Sequence, residues 1–149
     1  MKRLITLILA CCLAPAAMSE EIDADAIIKY RQDVMTAIKG HNNAIKTIVS
    51  GKVPFAGLLD SHLASIERLF GEIDSLFPEG SDFGKTSAKD EIWDNPDEFK
   101  DTLAKSRQAL NDFKQVASQG DLAKSADAFK QFGRNSCGSC HKLFKKKDD

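Results

Sequence analysis

The sequence predicts an all-α protein, an antiparallel bundle of four helices. Three observations predict it. Apolar residues recur in steps of three and four along four segments of roughly 20 residues. Sustained apolar–polar alternation, the mark of a half-buried strand, is absent. Glycine or proline stands at each join. The chain has 149 residues, 42% apolar and 29% charged. That composition suits one soluble domain and argues against disorder or a polytopic membrane protein.

The first helix is read from Ile28, Met35, Ile38, Ile45 and Val49, which share one face before Gly51 and Pro54 break the pattern. The second carries Leu59, Leu63, Ile66, Phe70, Ile73 and Phe77 at alternating steps of four and three, and Pro78-Glu79-Gly80 ends it. Asn95-Pro96 opens the third as N-cap and first-turn proline. Its stripe runs through Phe99, Leu103, Ser106, Leu110, Phe113 and Ala117. Gly120 closes that helix and Asp121 caps the next. The fourth runs from Leu122 through Phe129, Phe132 and Cys140 to Leu143 and Phe144. It ends in Lys145-Lys146-Lys147, which complement the negative end of the helix dipole. Stripes of this kind pack into an antiparallel bundle. The joins around Pro54 and Gly120 are short, whereas the join from Pro78 to Asn95 is long enough to carry a function.

Residues 1–19 read as a secretory signal peptide and residues 20–149 as the single mature domain. Met1-Lys2-Arg3 is a basic start, Leu4 to Leu13 is apolar apart from Thr6, and small residues precede Glu20-Glu21. Cleavage is expected after Ser19, with Ala16 as the second choice. A membrane anchor fits less well, because no stretch approaches the ~18 apolar residues of a membrane span. Ile8-Leu9-Ala10-Cys11 resembles a lipoprotein cleavage box only loosely. Removing Lys2 and Arg3 leaves 19 basic against 22 acidic residues, a charge near −3. Nucleic-acid binding is therefore not expected, since it needs an excess of basic residues to displace counterions. Processing also removes Cys11 and Cys12, leaving Cys137 and Cys140 in an oxidising, periplasmic setting.

Those two cysteines carry the chemistry. Cys137-Gly138-Ser139-Cys140-His141 is the haem attachment pattern C-x-x-C-H. Residues three and four apart share a helix face, so both thiols and the imidazole project to one side. The thiols can add across the two vinyl groups of a haem, giving haem c, and the imidazole then lies under the iron as its proximal ligand. A zinc site would need two more ligands, and His41 and His62 are lone residues on separate predicted helices. A thioredoxin-like dithiol belongs at the start of a helix after a strand. A disulfide within the motif would leave His141 without a role. A haem-free helical module using the pair as a thiol switch is the remaining alternative.

The chain resembles the class II c-type cytochromes, typified by cytochrome c′, over essentially all of residues 22–147. The resemblance rests on Tyr30-Arg31-Gln32, Met35, His41 and the Gly51-Lys52-Val53-Pro54-Phe55 turn. It extends to Glu91-Ile92-Trp93 with Phe99, and to Ser136 through Lys145 around the attachment pattern. It implies a left-handed four-helix bundle with one haem, often as a homodimer. It also implies that Cys137 and Cys140 are thioether sites and His141 the proximal ligand. Arg31 and Gln32 match residues near a haem propionate, and Lys145 a basic residue beside the proximal histidine. Ser87 and Glu91, in the long loop, match positions approaching the haem edge.

Met35 lies one turn beyond Arg31 on the same face and is the expected sixth ligand. In the family this position holds either an apolar side chain, leaving iron open to NO or CO, or a ligating methionine. A histidine–methionine pair suits a single-electron carrier working with redox partner proteins. His41 lies about 120° around the helix from Met35 and is rejected as a ligand. It is expected to face solvent or a dimer partner. Enzymatic turnover is not expected, because nothing near Met35 offers the distal acid–base group and cation of a peroxidase.

Overall fold

The computed structural model describes residues 23–147. The expected signal peptide, residues 1–19, lies outside the described residues. Six α-helices follow in chain order: α1 (Ala24–Val49), α2 (Leu59–Gly71), α3 (Glu91–Asp94), α4 (Pro96–Ala117), α5 (Leu122–Gly133) and α6 (Ser139–Phe144). Helices α1, α2, α4 and the α5–α6 unit are the four arms of the bundle. Among the described residues the only β-type pairing is an isolated bridge between Ala88 and Lys145.

Each arm forms where the periodicity places it, and the ends show why. Asp23 caps α1 by accepting the Ala26 N–H at 2.9 Å, and Asp121 caps α5 by accepting the Lys124 N–H at 3.0 Å. Pro96 occupies the first turn of α4, but the Asn95 side chain makes no capping hydrogen bond there. The apolar stripe of the second arm continues past Gly71 as a 3-10 turn, Asp74–Leu76, that still buries Ile73 and Leu76. Gly120 takes a φ of 75°, the left-handed turn that lets α4 reverse into α5.

The core joins all four arms through Ile45, Leu63, Ile66, Leu110, Phe113 and Phe132. Phe113 stacks on Phe132 at 5.9 Å and meets Phe129 at 5.6 Å. A second aromatic row runs edge to face from Phe77 to Phe99 and on to Phe144, 5.2 Å at each step.

The last arm departs from the expected uninterrupted helix. Arg134–Gly138 form a π turn between α5 and α6. A π turn spends one extra residue per turn, so everything beyond it is rotated relative to a regular helix. Leu143, expected in the buried stripe, is consequently exposed, while Phe144 is buried. The Ser139 hydroxyl shares its proton between two carbonyls of this turn, Asn135 O at 2.7 Å and Ser136 O at 3.0 Å. Gly138 fits because a Cβ there would stand 3.3 Å from the Gly133 carbonyl oxygen.

Candidate haem-binding site

A cavity of about 700 Å³ opens between α1, the long loop and the last arm. Cys137, Cys140 and His141 line it together. The π turn does not scatter the motif, because Cys140 and His141 lie beyond it and Cys137 within it, all addressing one space. The thiols are half-buried and not joined to each other. His141 sits at the exposed side.

Burial sets the chemistry of the thiols. It pushes the Cys137 thiol up. It pushes Cys140 up further, to about 11, with the neighbouring Cys137 adding to the effect. A buried thiolate is disfavoured because apolar surroundings solvate charge poorly. Both sulfurs are therefore thiols at neutral pH, the opposite of the low-pKa cysteine a redox switch uses.

The α1 side of the cavity is set by helical spacing. Arg31, Met35 and Lys39, four residues apart, all line it, as do Gln32 and Ile38. Met35 is half-buried and packs against the core. Arg31 is 4% exposed. Its guanidinium donates to Leu76 O at 3.2 Å, Ser81 Oγ at 3.1 Å, Ser81 O at 3.1 Å and Thr86 Oγ1 at 2.9 Å. It also lies 4.5 Å above the Phe77 ring and 5.8 Å from that of Trp93. Four of its five N–H donors are thus committed to residues 76–86. Burial lowers its pKa. The residue expected beside a propionate is, on these contacts, the clamp of the long loop. Gln32 behaves alike, donating to Lys85 O at 2.9 Å.

The loop supplies the remaining wall. Thr86, Ser87 and Ala88 line the cavity, with Ile92 beyond them. Glu91 is exposed and is not among the lining residues; its neighbour Ile92 takes that place. The loop is tied to the end of α6 by Lys89 N–H to Phe144 O at 3.0 Å and Lys146 N–H to Ser87 O at 2.7 Å. Lys145 lies within this strap and lines the cavity. Trp93 stands outside it, donating its ring N–H to Pro78 O at 3.1 Å. Phe99 is a wall residue.

The donor set and the space fit a haem. Two thiols and an imidazole converge on a cavity within the range of cofactor pockets, ~300–1,000 Å³. Its walls are apolar, through Phe70, Ile73, Phe77, Phe99 and Leu103, and its lining includes Arg31, Lys39 and Lys145. A lining hydroxyl, Ser106, is buried without a hydrogen-bond partner. Unsatisfied buried polar atoms are uncommon and suit a space built around another molecule. The sequence profile of the family described as Cytochrome C′ matches residues 26–145.

The chain belongs to the cytochrome c′ family.

Cytochrome c′ from Pararhodospirillum photometricum is 32% identical over 122 residues, covering 81% of this chain and 97% of that protein. Among solved structures, a ferrous variant of cytochrome c prime from Alcaligenes xylosoxidans with bound NO is similar at a TM-score of 0.74 and 27% identity. That match covers 84% of this chain and 97% of the other. Cytochrome c′ from Rubrivivax gelatinosus is similar at a TM-score of 0.72 and 29% identity, covering 83% and 97%. Cytochromes c′ bind one covalently attached haem c, and this chain is a haem c-type cytochrome. Its architecture is the four-helix bundle of that family. Among the described residues, no helix is long and apolar enough to cross a membrane.

Sequence reasoning missed Lys39, although its spacing of four from Met35 gave the signal. It also missed Thr86, whose hydroxyl accepts from Arg31 and in turn from the Ala88 N–H at 3.0 Å. Nothing local to a loop threonine marks it for that task. His41, expected to face solvent or a dimer partner, pairs with His62 away from the cavity.

Proposed function

We propose that this cytochrome is an exported, periplasmic carrier of single electrons. Residues 1–19 serve as its signal peptide and residues 20–149 as its mature domain. Cys137 and Cys140 are the thioether anchors, His141 is the proximal iron ligand and Met35 the sixth ligand. The observation that carries this reading is that the Met35 side chain lines the same cavity as His141 and both thiols. When bound, the haem supplies an iron that takes up and returns one electron. A methionine–histidine ligand pair raises the potential of that iron.

The chain's own residues do the rest. Phe70, Phe77, Phe99 and Leu103 keep water from the cavity wall. Lys39, Lys145 and Ser87 line the cavity and would offer two positive charges and a hydroxyl to the haem carboxylates. Gln32 and Arg31 hold the loop that closes the site. The exposed Lys142, Lys146 and Lys147 steer an acidic redox partner protein, since exposed charge raises encounter rates. Exposed Phe55 and Leu58, at the α1–α2 turn, support self-association as a homodimer. No catalytic residue is proposed.

A second reading is gas binding, with iron open on the Met35 side to NO or CO. It is favoured by the bound NO in the similar Alcaligenes protein and by the apolar Ile38 and Phe70 among the wall residues. Visible spectra of both oxidation states, with and without CO, separate the two. Low-spin ferric bands and no response to CO support the carrier. A high-spin ferric spectrum with a CO-shifted ferrous Soret band establishes the gas binder instead.

A further inference from the structure

His41 and His62 stand on different helices, and neither lines the haem cavity. Both are half-buried. Their Nδ1 atoms are 2.9 Å apart, and their rings lie 5.3 Å centre to centre at 58°. Without an ion, one imidazole carries its proton on Nδ1 and donates it to the other. If that proton sits on Nε2 instead, two lone pairs converge on one point.

We propose that His41 and His62 form a two-histidine site for a divalent copper ion, clasping α1 to α2 outside the lining of the haem cavity. Metal–imidazole bonds are ~2.0–2.1 Å long. Two such ligands at a right angle are separated by ~2.9 Å, against ~3.3 Å for a tetrahedral angle at the same bond length. The hydrogen bond of the free pair already holds the two nitrogens at 2.9 Å, the separation that the cis arrangement of a tetragonal ion needs. Copper(II) has that geometry and stands highest in the divalent series for nitrogen ligands. Among the described residues no third histidine, cysteine or carboxylate completes the group, so water fills the other positions. Access is available because both residues are only half-buried. Binding leaves copper divalent and moves the donor's proton from Nδ1 to Nε2, with no change in proton count for a neutral pair.

The sequence holds three histidines, and the third, His141, belongs to the haem iron. In the haem-loaded protein, a copper signal with two histidine nitrogens can therefore come only from this pair. The test titrates the holoprotein with copper(II) sulfate, following heat on binding and the copper electron paramagnetic resonance spectrum. One equivalent is expected to bind, with splitting from two nitrogens that changes on ¹⁵N-histidine labelling. His41→Gln and His62→Gln are each expected to weaken binding at least tenfold and remove that splitting, with the haem spectrum unchanged. No stoichiometric uptake by the unaltered protein overturns the proposal. So does uptake whose splitting ignores the label, or a His62→Gln protein that binds as before.

Discussion

Arg31 offers the sharpest test of how this fold holds its site. Replacing it by methionine keeps the length and much of the packing but removes four hydrogen bonds and the charge above Phe77. Hydrogen bonds from a charged donor contribute ~1.5–3 kcal/mol each, so four taken at face value would exceed ~6 kcal/mol. Part of that is returned, because the variant no longer buries a guanidinium, whose desolvation is what lowers the native pKa. What is not returned is the cost of leaving the Leu76 and Ser81 carbonyls without their donor. The net loss expected is about 4 kcal/mol, the sum for two buried carbonyls left unsatisfied at ~1–3 kcal/mol each. Guanidinium chloride unfolding of the holoprotein, read by helical circular dichroism, measures it. Amide exchange over residues 77–88 should accelerate in parallel. Arg31→Lys should lose less than Arg31→Met, since it keeps the charge but not the fork. A loss below about 1 kcal/mol with unchanged loop exchange would refute the clamp.

Three further outcomes follow from other parts of the molecule. Met35→Leu should convert the ferric spectrum from low-spin to high-spin and turn CO uptake from none to stoichiometric. Phe113, 1% exposed and packed on Phe129 and Phe132, should cost about 3–5 kcal/mol when cut to alanine, read by chemical denaturation. In the haem-free chain, alkylation of Cys140 by iodoacetamide should rise with pH to a midpoint near 11, against 9.0 for an ordinary thiol. The raised value also means that the unfolded thiol ionises first. The haem-free fold therefore loses stability as pH climbs from 9.0 through about 11. A Cys140→Ala chain lacks that part of the loss.

The four arms were legible because burying one face of a helix leaves a period in the sequence, and Leu59, Leu63, Ile66 and Phe70 carry it openly. The attachment motif was legible for a similar reason, since its spacing serves its chemistry. The π turn was not. Gly133 and Gly138 permit it, but glycine is equally tolerated elsewhere, and only the backbone register distinguishes an i→i+5 bond from an i→i+4 bond. Arg31 was legible as a site residue and not as a clamp. Its acceptors lie 45 to 55 positions along the chain, in a loop whose path no periodicity encodes. His41 and His62 looked like unrelated residues because each has a helix to itself, and only the packing of α1 on α2 brings them together.

The single surplus residue at Arg134–Gly138 makes the spacing of the last arm indivisible. Rewinding that stretch as an ordinary helix with every residue kept would swing everything downstream by about 100°. Leu143 would turn inward, Phe144 would be expelled, and the sulfur pair would be aimed away from the Met35 flank. The phenylalanine wall upstream and the attachment sequence downstream therefore behave as one cassette. Grafting the pentapeptide onto another bundle would fail unless the irregularity travelled with it.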